Sequence, residues 1–363
     1  MQTDRFSLSV LIPNRNDSRY LRRCIGSVLE QSVPPDEVII VDDESTDDSV
    51  AVIERAIAGC SFARLYRNPK NLGATGNTNL ALGYASGKYV YFLGANDFVL
   101  PGMFAAAKAC LERHPQAGIW SAMIRLVDED DRFLRVHRSP VISLGDAYVP
   151  PEEMPSLMRR HGNWLTGQTT VYLRDALLKA GGFRAELRAL TDLFSAHVVA
   201  TRHGACFTPR PLAIMRLHKG SFLSSTLQDE RSFEAILERI RREGPGIEPR
   251  LFTGEMLRKI ELRLRFSSYR SATGAGIYES APGTGAAALA GRLRGASALP
   301  LRLLGRVAGI LPRILSVALL FLILRPFDLL PMLWYRFAGT AWVVLRERLR
   351  PAEARQAARR VPS

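Results

Sequence analysis

The sequence predicts an α/β fold built on a mostly parallel, doubly wound sheet, followed by a helical C-terminal extension. Short apolar segments alternate with helix-periodic segments in the first part of the chain, which is the pattern of β-α-β units. Polar residues follow several of these apolar segments, as they do where strands end at a ligand site. The composition, 47% hydrophobic and 23% charged, is that of a globular protein.

The first part of the chain has the predicted order β-α-β-α-β-α-β. Its elements are strand 8–12, helix 20–31, strand 38–41, a helix capped by Ser45 or Thr46, strand 64–66, helix 74–85 and strand 89–93. Pro13, Asp43 and Asp97 follow three of these strands, where parallel sheets bind ligands. We therefore expect a ligand site at that edge, with Asp47 and Asp48 serving mainly as capping acids.

The middle of the chain has a mixed pattern. Residues 118–127 and 133–136 flank an acidic turn at 128–131, which predicts a hairpin. Gly181 and Gly182 end a short predicted helix. The elements predicted around them are strand 169–174, helix 175–180, helix 190–203 and an extended segment at 207–217.

Composition divides the chain into five parts. They are a ligand-binding domain at 1–225, a helical extension at 226–270, a Gly-, Ala- and Ser-rich linker at 271–298, apolar basic helices at 299–350 and a basic tail at 351–363. Residues 291–363 hold 13 arginines and three acids, which gives +10 of the chain's net charge of +14.

The C-terminal helices are expected to associate with a membrane. Arginines recur beside apolar residues at 302–313, which suits amphipathic helices on an anionic lipid surface. The apolar run at 314–324 is too short to span a bilayer alone. A re-entrant hairpin, a spanning segment and a helical contact in a soluble homo-oligomer are the alternatives.

Cysteine usage and the N-terminus predict a cytoplasmic protein, and the basic C-terminal helices predict that it is peripheral on the inner face of the cell membrane. The four cysteines form no C-x-x-C pair, which favours reduced and mostly buried thiols. No apolar signal segment follows Met1. No nucleic-acid-binding module accompanies the basic charge, so nucleic acid is not an expected partner.

Asp43 is the first candidate binding residue. A carboxylate after an apolar strand needs solvent or hydrogen-bond donors. It can accept the ring N–H of uracil, thymine or guanine, whereas cytosine presents an acceptor at that nitrogen. By itself this chemistry leaves two interpretations of Asp43 open, a contact with a nucleotide base and a solvated turn.

Five motifs in order resemble the inverting family 2 glycosyltransferases, which have the Rossmann-like GT-A fold. They are Pro13 with Asn16, Ser27 to Gln31 followed by Asp42-Asp43, Asn71-Leu-Gly-Ala-Thr-Gly-Asn-Thr-Asn79, Gly87 to Asp97, and Gly181-Gly-Phe183 followed by Thr191-Asp192. The resemblance implies a nucleotide-sugar donor. It assigns donor binding to Pro13, Asn16, Asp43, Asn71, Gly73, Asn79 and Asn96.

Gly94-Ala-Asn-Asp97 corresponds to the metal-binding acids of the family, which commonly read Asp-Ala-Asp-Asp. The resemblance implies that Asp97 binds Mn²⁺ or Mg²⁺, which would neutralise the departing diphosphate. Asn96 is expected to contact the ribose or to offer an amide oxygen. Two acids are missing here, and a simple turn is the alternative.

Asp192 is the predicted catalytic base. Inverting transfer needs one group to take the proton of the acceptor hydroxyl. The family places that base shortly after Gly-Gly-Phe, with Thr191 here replacing the commoner Glu. Alternatively, Asp192 only caps the helix that follows. Thr191 and Trp164 are expected at the acceptor site, although Trp164 suits the core equally well.

Arg216 and His218 form a basic pair after the last predicted strand. Similar Arg-x-His segments in the family cover the donor diphosphate, where positive charge stabilises the leaving group. The resemblance implies the same role here, and an ordinary polar loop is the alternative.

The resemblance implies a metal-dependent, inverting hexosyltransferase. It would move a sugar from a UDP- or dTDP-sugar to a hydroxyl of a glycan or lipid-linked acceptor, in the synthesis of a bacterial surface polysaccharide. A catalytically silent nucleotide-sugar-binding or scaffold protein of the same fold is the alternative, which the missing acids at positions 94 and 96 favour.

Overall fold

A computed structural model describes residues 5–137, 139–217, 226, 229–261 and 339–348. Within these ranges the chain forms two units. The first contains residues 5–216 and helix 339–348, and the second contains the described residues from 217 to 261. The linker predicted at 271–298 and the basic tail at 351–363 lie outside the described residues.

A ten-stranded sheet forms the centre of the first unit. Its strands are β1 (Leu8–Asn14), β2 (Glu37–Asp42), β3 (Ala63–Arg67), β4 (Tyr89–Phe92), β5 (Phe98–Val99), β6 (Ile119–Val127), β7 (Phe133–Val136), β8 (Ala147–Val149), β9 (Val171–Leu173) and β10 (Ala205–Arg216). Their order is β3-β2-β1-β4-β9-β6-β10-β5, with β7 beside β6 and β8 beside β10.

The first seven helices lie between these strands in the chain, and in the part of the chain that the structure describes two more follow the last strand. They are α1 (Ser18–Leu29), α2 (Ser49–Ala56), α3 (Gly73–Tyr84), α4 (Met103–Arg113), α5 (Met154–His161), α6 (Arg174–Lys179) and α7 (Thr191–His203), then α8 (Glu230–Ile247) in the second unit and α9 (Gly339–Arg348) in the first. Two 3-10 segments, Gly167–Thr169 and Ala185–Leu190, precede β9 and α7.

The prediction of a mostly parallel sheet is confirmed for one half of the sheet and wrong for the other. β1 pairs in parallel with β2 and β4, and β2 pairs in parallel with β3. β9 lies antiparallel between β4 and β6, while β6 and β10 are parallel to each other. The whole sheet is therefore mixed, because β9 is inserted against the direction of both neighbours.

The parallel half owes its stability to burial on both faces. The central residues of β1 and β2 are at most 1% exposed. Strands covered on both faces read as continuous apolar runs, which is how they appear in the sequence. Helix α1 adds an apolar stripe made of Leu21, Cys24, Ile25 and Val28. This packing fixes the direction of the strands whose ends carry the polar loops.

The mixed half contains both confirmed and unpredicted elements. The hairpin around residues 128–131 is confirmed, since β6 and β7 pair antiparallel. The pairing of β10 with β6 shifts register around Pro211, as expected for a proline in a strand. β5 and β8 were not predicted, because strands this short show no periodicity.

No helix in the described ranges is long and apolar enough to cross a membrane. In α9 the side chains of Trp342 and Leu345 are about half exposed, and Val343 is buried. Most of the membrane-associating region at 299–350 lies outside the described residues and stays a prediction. All four cysteines are free thiols, and three of them are buried.

Candidate active site

The polar residues after β1, β2, β3 and β4 lie at one edge of the sheet. These strands are parallel, so their carboxyl ends face the same way. β10 also ends there, because the backbone N–H of Arg216 donates to Oδ1 of Asp97 at 2.8 Å. The predicted ligand edge is therefore present, and it includes a strand from the mixed half.

Asp42 organises the loop after β2. Its side chain is 2% exposed and accepts hydrogen bonds from Nδ2 of Asn14 at 2.7 Å and from the backbone N–H of Ser45 at 3.0 Å. The Ser45 hydroxyl donates to the same carboxylate at 2.6 Å. Asp42 is therefore occupied inside the protein and leaves ligand contact to its neighbour.

Asp43 is held by one of its two oxygens. Oδ1 accepts hydrogen bonds from Nδ2 of Asn68 and from the backbone N–H of Leu72, both at 2.8 Å. Within the described residues Oδ2 has no hydrogen-bond partner, although Asp43 is only 2% exposed. A fixed carboxylate with one open oxygen is suited to accept an N–H from a planar ring.

Two buried asparagines support Asp43, and the sequence analysis missed both. Nδ2 of Asn68 also donates to Oδ1 of Asn77 at 3.1 Å, and Nδ2 of Asn77 donates to the carbonyl of Val41 at 2.9 Å. This chain of amides connects β3, α3 and β2. The position of Asn68 directly after β3 was the available signal, since polar residues follow each of these strands.

Asn16 connects the loops after β1 and β2. It adopts a left-handed backbone with φ of 57°, a conformation that asparagine tolerates better than most residues. Its N–H donates to the Ser45 hydroxyl at 2.9 Å, and its Oδ1 accepts from the N–H of Thr46 at 2.7 Å. Pro13 lies within β1, opposite Val41. Asn16 thus shapes the edge from an exposed position.

Asn71 and Gly73 start helix α3. Oδ1 of Asn71 accepts the N–H of Gly73 at 2.8 Å, and the N–H of Asn71 donates to the carboxylate of Glu44 at 3.0 Å. Gly73 has φ of +74°, which glycine adopts without strain. Both residues are exposed beside the Asp43 loop, so a donor contact is sterically open to them.

Asn79 lies further along α3 and holds the Gly-Gly-Phe segment. Its Nδ2 donates to the carbonyl of Phe183 at 2.7 Å, and its Oδ1 accepts the N–H of Phe183 at 3.0 Å. Both amide atoms are therefore occupied. The structure gives Asn79 a positioning role between the two halves, and its predicted contact with the donor stays a prediction.

Asp97 is a buried acid with an unusual pKa. Burial raises its pKa to about 7, and this effect outweighs the N–H and the positive charge of Arg216, which lower it. Oδ2 has no hydrogen-bond partner within the described residues. A cation beside Oδ2 would restore the charged form of this carboxylate.

The residues around Asp97 fit a divalent metal ion bound together with a phosphorylated ligand. Asp97 and the amide oxygen of Asn96 are hard donors of the kind that Mg²⁺ and Mn²⁺ prefer. In the described part of the chain, no group of three or more His, Cys, Asp or Glu side chains could hold a metal by itself. Ligand phosphates and water would therefore complete the coordination, as is usual for Mg²⁺.

Arg216 is committed inside the protein. Its side chain is 2% exposed, pairs with the carboxylate of Asp131 and donates to the carbonyl of Asn96. The guanidinium also lies 4.2 Å from the centre of the Tyr20 ring. A diphosphate contact would need this ion pair to break and stays a prediction. His218 lies outside the described residues.

Asp192 lies in the first turn of α7, next to Gly167. Burial raises its pKa to about 6, although the backbone N–H groups of Leu193 and of Asp192 itself lower it. The Leu193 N–H donates to Oδ1 at 2.7 Å. Because Asp192 is the second residue of α7 and Leu190 is its N-cap, this bond is not an N-cap bond. The carboxylate is therefore protonated and deprotonated near neutral pH, as a general base requires.

Asp192 is brought to the same edge as Asp97 by antiparallel pairing. β9 runs against β4, so the turn before β9 adjoins the end of β4. The Tyr91 hydroxyl donates to the carbonyl of Gln168 in that turn at 2.7 Å.

Thr191, predicted at the acceptor site, accepts the N–H of Arg184 at 2.5 Å and is 8% exposed.

Trp164 lies in the core. Its side chain is 0% exposed, and its ring packs edge-to-face on Phe207 with 5.5 Å between centroids. The structure thus supports the alternative interpretation of Trp164, in which it is a core residue. An acceptor contact from Trp164 would need this packing to open.

Comparison with known proteins identifies the family of this region. A family model described as glycosyl transferase family 2 matches residues 9–179. The uncharacterized protein MT1568 of Mycobacterium tuberculosis is 32% identical over 217 residues, which cover 58% of this chain and 66% of that protein. The chondroitin synthase of Escherichia coli is 34% identical over 105 residues, which cover 29% of this chain and 15% of the synthase. The chain thus matches only part of each relative.

Among solved structures, the mannosyltransferase PcManGT from Pyrobaculum calidifontis, in complex with GDP-Man and Mn²⁺, has a similar fold. It superposes with a TM-score of 0.55 at 20% identity, over 95% of this chain and 88% of that one. At this identity the likeness concerns the fold.

Proposed function

We propose that this chain, whose residues 9–179 match the model of glycosyl transferase family 2, transfers a sugar with inversion from a nucleotide-sugar donor to an acceptor hydroxyl. In this proposal Asp43 binds the base, Asp97 with Asn96 holds the metal, and Asp192 is the catalytic base. The observation that supports it best is the arrangement of three acids, in three different surroundings, at one edge of the sheet.

The three acids differ in what their surroundings allow. Asp43 has one oxygen fixed by two N–H donors and one open oxygen. Asp97 is buried, and its pKa is raised to about 7. Asp192 stands at the start of a helix, and its pKa is raised to about 6. A hydrogen-bond acceptor, a metal ligand and a proton acceptor are the three roles that such a transfer needs.

Asp192 would act on the acceptor. As the acceptor oxygen attacks the anomeric carbon, the bond from that carbon to the diphosphate breaks, and Asp192 takes the hydroxyl proton. Inversion follows from a single displacement, so no covalent sugar–enzyme bond forms and one carboxylate suffices. A bound Mg²⁺ or Mn²⁺ would supply positive charge that stabilises the departing diphosphate.

The nucleotide is defined only by its ring N–H. Oδ2 of Asp43 can accept from uracil, thymine or guanine, and we favour a UDP- or dTDP-sugar. The similar structure of PcManGT contains GDP-Man, so GDP-sugars belong among the candidates. Cytosine lacks the donor and should be rejected, since it would leave the carboxylate unpaired.

A thermal-shift panel tests this proposal. UDP-, dTDP-, GDP- and CDP-sugars would be compared with and without Mn²⁺, at concentrations up to about 100 times the expected Kd. Saturation to that degree adds about 2.7 kcal/mol of stability. We expect stabilisation by at least one of the first three donors, enhanced by Mn²⁺, and none by CDP-sugars. The absence of any shift, or a preference for CDP, would overturn the base assignment.

A catalytically silent binding protein is the second candidate, because Gly94 and Asn96 stand where the family pattern that this chain resembles commonly has acids. Slow metal-dependent hydrolysis of the selected donor separates the two candidates. Hydrolysis that disappears in Asp192→Asn supports the enzyme, whereas donor binding with no hydrolysis and no transfer supports the silent protein.

The acceptor and the location are also part of the proposal. The +10 charge of residues 291–363 supports a peripheral position on the inner face of the cell membrane, where lipid-linked glycans of a surface polysaccharide would be available. Co-sedimentation of the full chain with vesicles should increase with anionic lipid content and decrease with salt. Equal binding to neutral vesicles would contradict the electrostatic docking.

A further inference from the structure

Gly167 lies directly against the carboxylate of Asp192. A methyl group at position 167 would lie 2.5 Å from Oδ2 of Asp192 and 3.7 Å from its Cγ. The first distance is far inside van der Waals contact. Gly167 has no positive φ, so its backbone conformation is accessible to alanine. The space needed by Asp192 is therefore what makes a side chain unfavourable here.

The turn that carries Gly167 is attached to two strands. The Thr169 hydroxyl donates to the carbonyl of Ala122 at 2.7 Å and accepts the N–H of Ala122 at 2.9 Å. The Tyr91 hydroxyl donates to the carbonyl of Gln168 at 2.7 Å. These bonds tie the turn to β6 and to β4. The turn cannot easily withdraw from an added methyl group, so the Asp192 side chain has to move.

We propose that Gly167 is a positioning residue for the catalytic base. The absence of a side chain at position 167 lets the Asp192 carboxylate lie against the turn at the catalytic edge of the sheet. The inference rests on the proposed function, in which Asp192 takes the acceptor proton. It extends that function to a residue in the strand connection, 25 positions earlier in the chain.

Gly167→Ala is expected to rotate the Asp192 side chain away from the turn. A displacement of about 1 Å of a catalytic group can cost about 100-fold in rate. We therefore expect kcat for transfer to fall about 100-fold. The KM for the donor and the thermal shift caused by the donor should stay within twofold, because Asp43 and Asp97 are untouched.

The pH profile provides a readout that a purely structural defect would not change. Rotation toward solvent would lower the pKa of Asp192, so the acid limb of the kcat profile should move to lower pH in Gly167→Ala. Gly145→Ala is the matched control, because a methyl group at position 145 meets no atom within 4 Å. Wild-type kcat in a folded Gly167→Ala variant, or equal losses in kcat and donor binding, would overturn the proposal.

A double-mutant cycle with Asp192→Ala tests the contact independently of activity. Removing the carboxylate removes the clash, so any loss of thermal stability from Gly167→Ala should disappear in the Asp192→Ala background. The same loss in both backgrounds would show that the methyl group clashes elsewhere. If Asp192→Asn stays active, the base assignment fails. If Asp192→Asn is inactive and Gly167→Ala is fully active, only the positioning role fails.

Discussion

The loop that carries Asp43 and the helix turn that carries Asp192 reach the same edge of the sheet in different ways. Asp43 follows a strand of the parallel half and is held by Asn68 and Leu72, which lie 25 and 29 residues away. Asp192 depends on contacts made across the mixed half, between Tyr91 and Gln168 and between Gly167 and its own carboxylate. The donor side is thus held within successive β-α-β units, whereas the turn beside Asp192 is held to β4 by the Tyr91–Gln168 bond, which spans 77 residues.

This difference also appears in the electrostatics. The surroundings of Asp43 supply N–H donors, which stabilise a carboxylate. Burial raises the pKa of Asp192 to about 6. The carboxylate therefore binds a proton more readily, and its charged form is less stable than in water. We infer that the donor side is built for fixed binding and the catalytic side for proton transfer. The predictions below test that contrast, beginning with the largest expected effect.

Asp192→Asn should abolish transfer while leaving donor binding intact. The amide cannot accept the acceptor proton as a carboxylate does, and general-base catalysis contributes about 10²–10⁴ in rate. We expect kcat to fall about 10³-fold and the thermal shift from the donor to persist. Steady-state kinetics together with the thermal shift check this. Turnover close to that of the wild type would leave Asp192 as a helix residue only.

The pH dependence should separate catalysis from stability. Because the base must be deprotonated, kcat should fall tenfold per pH unit below about pH 6, in line with the raised pKa of Asp192. The folded-state pKa lies above the ordinary value of 3.8, so stability from this group is largest at low pH and is lost as pH rises toward 6. Above that pH, Asp192→Asn should therefore be more stable than the wild type, by about 1–3 kcal/mol.

Denaturant unfolding at pH 5 and pH 8 measures the difference in stability between Asp192→Asn and the wild type. A variant that is less stable than the wild type at pH 8 would contradict the burial penalty at Asp192.

Asn68→Ala should weaken donor binding without changing the chemical step. It removes one of the two donors that fix Asp43, and a lost hydrogen bond to a charged group is worth about 1.5 kcal/mol, or about tenfold. We expect donor KM to rise about tenfold and kcat to stay within threefold. Thr78→Ala in the same region is the control, since among the residues the structure describes that hydroxyl bonds only to the carbonyl of Ala74. A drop in kcat with unchanged KM would place Asn68 on the catalytic side.

The amino-acid sequence predicted the donor side better than the catalytic side, for a physical reason. Parallel strands buried on both faces appear as apolar runs, and the residues after them, such as Asp43 and Asp97, could be assigned to one edge from that pattern alone. Asn68 and Asn77 were missed because a buried amide resembles a surface amide in sequence. A strand was predicted at 169–174, where β9 lies, but its antiparallel direction was missed because hydrophobic periodicity does not report strand direction. The contact of Gly167 with Asp192 was missed with it.

Trp164 and Arg216 show a second limit of sequence reasoning. An aromatic ring and a guanidinium are both large enough to serve a ligand or the core. The structure buries Trp164 on Phe207 and pairs Arg216 with Asp131. Whether each residue serves a ligand or the core depends on a partner distant in sequence. Phe207 is 43 residues from Trp164 and Asp131 is 85 residues from Arg216, and no local pattern encodes either pairing.

The ion pair of Arg216 with Asp131 offers the smallest expected effect and the closest link between the two sides. Arg216 holds the carbonyl of Asn96 with its guanidinium and the carboxylate of Asp97 with its backbone N–H. Asp131 comes from the β6–β7 turn, so this hairpin fixes the loop proposed to bind the metal. Asp131→Asn leaves a buried cation without its carboxylate, and asparagine tolerates the φ of 66° at this position. The loss of one partner reaches 3–5 kcal/mol in full burial.

Because Asp131 itself is 32% exposed, we expect a stability loss of only about 1–2 kcal/mol and a several-fold weaker response to Mn²⁺. Asp130→Asn is the matched control in the same turn. Its partner Arg19 is 61% exposed, at 3.0 Å, and exposed pairs contribute less than about 1 kcal/mol. Equal effects of the two variants would mean that the turn acts through its charge alone, since the ion pairs of Asp131 with the buried Arg216 and the partly buried Arg23 are what distinguish them.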